Sequence, residues 1–190
     1  LTDVVDKGIS NPITDEIEAI ELLESVLRKS VEQQSIADVP LGAFLSGGID
    51  SSLITALMQE QSSRPIQTFT VGFDETEFDE SPYALAVAQH IGTEHHELRV
   101  TSNEALNIIP NLPEMYDEPF SDSSQIPTYI ICKTARQKVT VALSGDGGDE
   151  LFGGYNRYFW GKGIWNKVAW LPPVARRLLG RGISLFPVST

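Results

Sequence analysis

The chain is predicted to be an α/β protein built on a doubly wound parallel sheet with helices on both faces. Three observations point there. Short β-rich runs alternate with helix-periodic stretches between Leu41 and Leu143. The stretches between runs are long enough to bring each strand back parallel to the last. Two runs, ending at Leu45 and Leu143, stop in loops made of Ser, Gly and Asp. Right-handed crossovers wind such a chain into an open sheet. Ligands then bind at the carboxyl ends of strands, where the strand order reverses. Neighbouring first and fourth strands would bring both loops to that crevice.

The elements follow in order. Residues 1–12 read as a linker, because Gly8, Asn11 and Pro12 interrupt any regular pattern. Thr14 can cap a helix carrying Asp15 and Glu16 in its first turn. Ile17, Ile20, Leu23, Leu27 and Val31 make a stripe at helical spacing, with Arg28 and Lys29 toward its far end, and the stripe reads as packing. Asp38-Val39-Pro40 turns the chain into a buried strand, Leu41–Leu45. A helix is expected at about 51–61, then a strand over Ile66–Val71. Acidic residues gather between Asp74 and Glu80. Ser81-Pro82 starts a helix that buries Ala84, Leu85, Val87, Ala88 and Ile91 and stops at Gly92. Glu94–Val100 is a third strand, polar as an edge strand is. A helix at about 102–109, a Pro-, Asp- and Ser-rich loop from Pro110 to Ser124 and a helix over Pro127–Gln137 lead to a fourth, buried strand, Val139–Leu143.

The loop after the first strand reads Ser46-Gly47-Gly48-Ile49-Asp50-Ser51-Ser52. Two glycines let an anion approach the backbone, and the following helix adds amides and the positive end of its dipole. The serine hydroxyls are further donors. Asp50 sits among these anion-binding groups, where a carboxylate is useful chiefly if a divalent cation bridges it to phosphate. The loop is neither G-x-x-x-x-G-K-[ST] nor G-x-G-x-x-G. The loop after the fourth strand, Ser144-Gly145-Asp146-Gly147-Gly148-Asp149-Glu150, carries three carboxylates within five residues. Clustered carboxylates repel unless a cation or donors neutralise them. Asp149 can share a magnesium ion with Asp50, and Asp146 can accept a proton or position an amine. The alternative is a solvated acidic helix start that favours the dipole.

Composition narrows the function. The chain has 190 residues, enough for one domain with a core or one domain plus a fragment, and a hydrophobic fraction of 41%. Mean hydropathy is -0.10, ordinary for a globular protein. With 14 basic and 26 acidic residues the net charge is -12, which disfavours a nucleic-acid partner. The single cysteine, Cys132, excludes an internal disulfide, suits the reducing cytoplasm, and reads as a buried small hydrophobe. No run is long enough to span a membrane and no signal peptide is seen. His90, His95 and His96 lack metal-ligand spacing and read as structural or exposed. The aromatic cluster Tyr155, Tyr158, Phe159, Trp160, Trp165 and Trp170 reads as a packing surface, partly exposed. The chain starts at Leu1 and reads as a piece cut from a longer protein.

The first loop resembles the SGGxDS loop of the N-type ATP pyrophosphatases (the PP-loop family, adenine nucleotide alpha hydrolase-like in fold). Taken with FTVGF (69–73), ALAVAQHIGTEHHEL (84–98) and VALSGDGGDELFGGY (141–155), the chain resembles the synthetase domain of glutamine-hydrolysing asparagine synthetases. The chain is expected to divide into a linker and lead-in helix over 1–38, the synthetase domain over 39–160, and the start of a truncated helical region over 161–190. The resemblance implies that Ser46, Gly47, Gly48, Asp50, Ser51 and Ser52 hold the pyrophosphate of ATP. Leu45 and Val71 would hold the adenosine, and Ser144 and Gly145 would line the nucleotide pocket. Asp50 and Asp149 would bind Mg2+, and Asp146 would stand where an acidic catalytic residue, more often Glu, is found.

The implied activity is adenylation of the aspartate side chain by ATP and its amidation by glutamine-derived ammonia. Ser123, within PFSDSSQIPTY, stands where the best-known members carry an Arg, a departure that touches the acceptor carboxylate. The alternatives are a related amidotransferase acting on a sugar acid or β-amino acid, and an ATP-binding fragment without chemistry. The amino-terminal glutaminase domain, with its Cys nucleophile, and a catalytic Lys roughly a hundred residues past the second loop are implied to lie outside residues 1–190.

Overall fold

The computed structural model describes residues 2–74, 79–116, 118 and 122–183. The chain divides into two compact units, Leu1–Gly145 and Asp146–Thr190. That division falls inside the second loop; the domain bounds 39–160 and 161–190 remain a proposal.

The first unit begins with helices α1 (Thr2–Ser10) and α2 (Glu16–Gln34). Strand β1 (Leu41–Phe44), helix α3 (Ile49–Gln61), strand β2 (Gln67–Phe73), helix α4 (Ser81–Ile91) and strand β3 (Glu94–Val100) follow. Helix α5 (Ser102–Leu106), a 3-10 turn (Ile109–Asn111), α6 (Leu112–Met115) and α7 (Gln125–Ala135) lead to β4 (Val141–Leu143). The strands form one parallel sheet in the order β3-β2-β1-β4. The chain builds outward from β1 through β2 to β3, then crosses back to place β4 on the other side of β1. The strand order therefore reverses between β1 and β4, as the sequence pattern predicts.

Alternation along β1 assigns the two faces. Ala43 belongs to a core cluster with Leu57 and Met58 of α3 and Val31 of α2, against which Leu27, Leu41, Ile54, Ile66 and Leu143 pack. On the opposite face Phe44 and its register partner Phe69 pack with Ile131 and Ala135 of α7 and with Val139. Phe69 is fully enclosed, which is worth about 1.5–3 kcal/mol relative to an exposed ring. Gly42 must be glycine for the strands to approach: a Cβ there would lie 2.8 Å from the Gln67 carbonyl oxygen and 2.9 Å from the Phe69 ring.

Several expectations need correction. Thr2–Ser10 is helical, with every residue exposed, where a linker is expected. The cap of α2 is Asp15, one residue after Thr14; its carboxylate accepts from the Glu18 amide at 2.9 Å. Only Leu27 and Val31 of the α2 stripe reach the core, while Ile17, Ile20 and Leu23 are exposed. Leu85 of α4 is exposed as well. β4 is short and only half-buried, with Val141 exposed, because it lies at a sheet edge. Cys132 is exposed on α7, not buried. Gly92 does end α4, at φ +84°, and the amides of Gly92 and Thr93 both donate to the Ala88 carbonyl. β3 is the other edge, in line with its polar sequence.

His90 is exposed, and the other two histidines are structural. His95 Nδ1 lies 2.9 Å from the buried Thr68 Oγ1, which lies 2.9 Å from Thr93 Oγ1. His96 tilts against the Phe69 ring, with centroids 5.2 Å apart. Burial holds both imidazoles below their usual range; Glu97 opposes the shift at His95, and Lys138 adds to it at His96. A depressed folded pKa means that the unfolded chain binds more protons below about 6.5, its ordinary value. The stability held by neutral His95 and His96 is complete above that pH and falls as pH drops through it. Melting temperatures between pH 8 and pH 5 should decline, and His95→Asn, which keeps an acceptor for Thr68, should flatten the decline. An unchanged slope in that variant would remove His95 from the account.

The second unit comprises α8 (Gly148–Phe152), α9 (Asn156–Val168) and α10 (Pro173–Ile183). Phe159, Trp160, Trp165 and Trp170 are mostly exposed, the partial exposure expected of the aromatic cluster. Two arginines stack on its rings, Arg157 over Tyr155 at 4.1 Å and Arg176 over Trp165 at 4.8 Å. Among the described residues, no helix is long and apolar enough to cross a membrane.

Candidate nucleotide-binding site

β1 ends as the Leu45 amide donates to the Phe69 carbonyl at 2.9 Å. Leu45 is buried, its side chain against Ala84, Val87 and Ala88 of α4. The chain then reverses through Gly47 at φ +84°, a conformation that glycine adopts without strain. A Cβ on Gly47 would sit 2.7 Å from the Ala84 nitrogen and from Tyr83 atoms, so the turn is pressed onto the first turn of α4.

Gly48 is the N-cap of α3. Its own side chain can supply no cap, and the serines take over. Ser46 Oγ accepts from the Gly48 amide at 3.2 Å and lies 2.9 Å from Ser51 Oγ. Ser51 Oγ accepts from the Ser46 amide at 3.2 Å. These bonds close the turn into a ring of hydroxyls. Helical geometry leaves the amides of Ile49, Asp50 and Ser51 without intrahelical acceptors. Ser52 Oγ is enclosed with no hydrogen-bond partner among the described residues. A glycine turn at a helix start is a geometry that can cradle an anion. α3 starts at Ile49 rather than 51, so Asp50 lies in its first turn, half-buried.

β4 delivers Ser144 and Gly145 to the same end of the sheet. A Cβ on Gly145 would lie 2.7 Å from the Ser51 nitrogen and 2.9 Å from the Asp50 carbonyl carbon. The start of the second loop is therefore packed directly against the first, as neighbouring β1 and β4 require. Val71 stands near the carboxyl end of β2, opposite Leu98, and is half-buried. Asp146 and Asp149 belong to the second unit and are exposed. Gly147 is the left-handed N-cap of α8, at φ +90°. Beside them Tyr155 donates to Glu150 at 2.7 Å, which lowers the Glu150 pKa.

Gly145→Ala should be costly. Overpacking between two backbones commonly destabilises by about 1–3 kcal/mol. Denaturant unfolding would show the loss, and full wild-type stability would mean the loops separate freely.

Sequence reasoning assigned no role to the carboxylate of Asp79, which is enclosed at the far end of β2 beside Ser81 and Arg99. The acidic stretch from Asp74 to Glu80 was the available signal, and its residues 75–78 lie outside the described residues, as do 119–121 of the loop before α7. Ser123 is described and exposed, in the turn leading to α7.

The asparagine synthase family model matches residues 22–186. The chain belongs to the asparagine synthase family. It is 43% identical over 145 residues to a putative glutamine-hydrolysing asparagine synthetase 2 of Methanocaldococcus jannaschii, covering 76% of this chain and 28% of that one. Asparagine synthetase 1 of Bacillus subtilis is 40% identical, with 76% and 23% covered. A putative asparagine synthetase of Mycobacterium tuberculosis is 38% identical over 179 residues, with 93% and 27% covered. The chain thus spans about a quarter of the length of the curated relatives it matches. In structure it resembles NMN synthetase from Francisella tularensis, with a TM-score of 0.50 at 16% identity over 69% of this chain and 56% of that one. That likeness is one of fold: the doubly wound sheet predicted from the sequence.

Proposed function

We propose that residues 1–190 form the ATP-binding part of a ligase that adenylates the side-chain carboxylate of aspartate and amidates it with glutamine-derived ammonia. The observation that carries this reading is the glycine turn Ser46–Ser52, which opens α3 at the strand-order reversal with Gly145 packed against it. Family membership and the names of the relatives supply the reaction class. A carboxylate oxygen attacks the α-phosphorus, the bond to pyrophosphate breaks, and ammonia then displaces AMP from the acyl carbon. Ser46, Gly47, Gly48, Ser51 and Ser52 hold the departing pyrophosphate, stabilising charge as it develops. Leu45 and Val71, with neighbouring backbone, are assigned the adenosine, and Ser144 and Gly145 the lining of the nucleotide pocket. Asp146 is assigned to accept a proton from the attacking ammonia or to position it.

Carboxylate oxygen is the ligand chemistry magnesium takes. Among the described residues no group of three His, Cys, Asp or Glu side chains gathers to hold a metal. Magnesium needs no such group, since one or two carboxylates with phosphate and water suffice. Asp50 and Asp149 would hold it, and when bound it would neutralise pyrophosphate charge. A glutaminase domain elsewhere in the full-length protein would supply the ammonia.

The test is pyrophosphate release by the full-length protein, screened over a panel of carboxylic acids with ATP, Mg2+ and ammonia. Release with aspartate is expected. Release with a sugar acid or a β-amino acid, and none with aspartate, would replace the acceptor. Failure to bind ATP would sink the reading.

A further inference from the structure

We propose that the Asp79–Arg99 pair is a positioning device for the phosphate loop, acting through the first turn of α4. The inference rests on the reading of Ser46–Ser52 as that loop.

The side chain of Asp79 is only 8% exposed. An enclosed carboxylate needs donors, and it has them. Its Oδ1 accepts from the Ser81 amide at 3.1 Å and its Oδ2 from Arg99 Nη2 at 2.7 Å. Arg99 also reaches Glu97 Oε1 at 3.4 Å. Gly72 makes room for the cluster: a Cβ there would meet Ser81 Oγ at 2.9 Å, Asp79 Oδ1 at 3.1 Å and Glu97 Oε1 at 3.2 Å. The pair therefore ties the carboxyl end of β3 to the residue that opens α4, over the carboxyl end of β2. Two and three residues further along α4 lie Tyr83 and Ala84, against whose atoms Gly47 is pressed. A continuous set of contacts runs from Arg99 through Asp79 and Ser81 to the turn of the anion cradle. Asp79 itself is not assigned to touch nucleotide.

The pair is tested in the full-length protein with Asp79→Asn, Arg99→Gln and the conservative Arg99→Lys. ATP affinity in the first two should fall about tenfold, within the range that one coupled residue exerts. The KM for the acceptor should stay constant, and Arg99→Lys should restore most of the ATP affinity. Arg99 is exposed, so Arg99→Gln decides the matter should Asp79→Asn fail to fold. Unchanged ATP affinity in Arg99→Gln, or equal weakening of ATP and acceptor, would overturn the inference. Wild-type protein that binds no ATP would instead overturn the proposed function.

Discussion

Gly47→Ala is expected to lower ATP affinity by about 10²–10³-fold. Two penalties act at one atom. A left-handed conformation costs a non-glycine residue about 1–2 kcal/mol, and Gly47 sits at φ +84°. The new Cβ would also lie 2.7 Å from the backbone of Tyr83 and Ala84, and forced overpacking adds about 1–3 kcal/mol. The chain relieves both by moving the turn, and the turn is the cradle. At about 1.4 kcal/mol for each tenfold in affinity, the loss reaches the stated range. Gly48 is the control. Its φ is -69°, and a Cβ would meet only the Ser46 hydroxyl, at 3.3 Å. Gly48→Ala should leave the melting temperature close to wild type. ATP titration by calorimetry measures the first effect, and wild-type affinity in Gly47→Ala would show that the turn does not shape the site.

The two glycines illustrate what the sequence reveals and what it hides. Gly-Gly between an apolar run and a helix marks a tight turn, but not which glycine carries the strain; that depends on α4, more than thirty residues away. The parallel sheet and its reversal are legible because they follow from local periodicity and crossover length, which every strand advertises in its own sequence. Edge position is legible in β3, whose polar residues announce it, and not in β4, whose VAL is apolar although Val141 is exposed. Apolar content reports what a strand can bury, not whether anything covers it. The α2 stripe misleads for the same reason: Ile17 and Leu27 look alike in sequence, yet only Leu27 meets α3 and the sheet. Thr14 and Asp15 are both good caps, and only backbone geometry selects Asp15. The Asp79–Arg99 pair joins residues twenty apart on different elements. It has no period and no motif, so it becomes visible only once β3 and α4 are in place.

The companion expectation concerns charge rather than shape. Asp50→Asn should weaken Mg2+-dependent ATP binding by at least about 10–100-fold, the loss seen when even an indirect metal partner is removed. The substitution keeps the size of the side chain and removes its charge. On the proposed reading it would take a hard anionic oxygen from magnesium, which relies on few protein ligands. Metal-free binding should respond in the opposite sense or hardly at all, since a carboxylate among anion-binding groups repels bare phosphate. Asp50 lies in the first turn of α3 and touches Gly145 through its backbone and Cβ, so the substitution leaves the packing of the two loops intact. Melting temperatures should confirm that the fold survives. ATP titrations with and without Mg2+ then separate the two roles open to Asp50. A loss confined to the Mg2+ titration assigns the carboxylate to the metal. Equal losses in both would mean that Asp50 shapes the cradle and that the metal, if one is used, is held elsewhere.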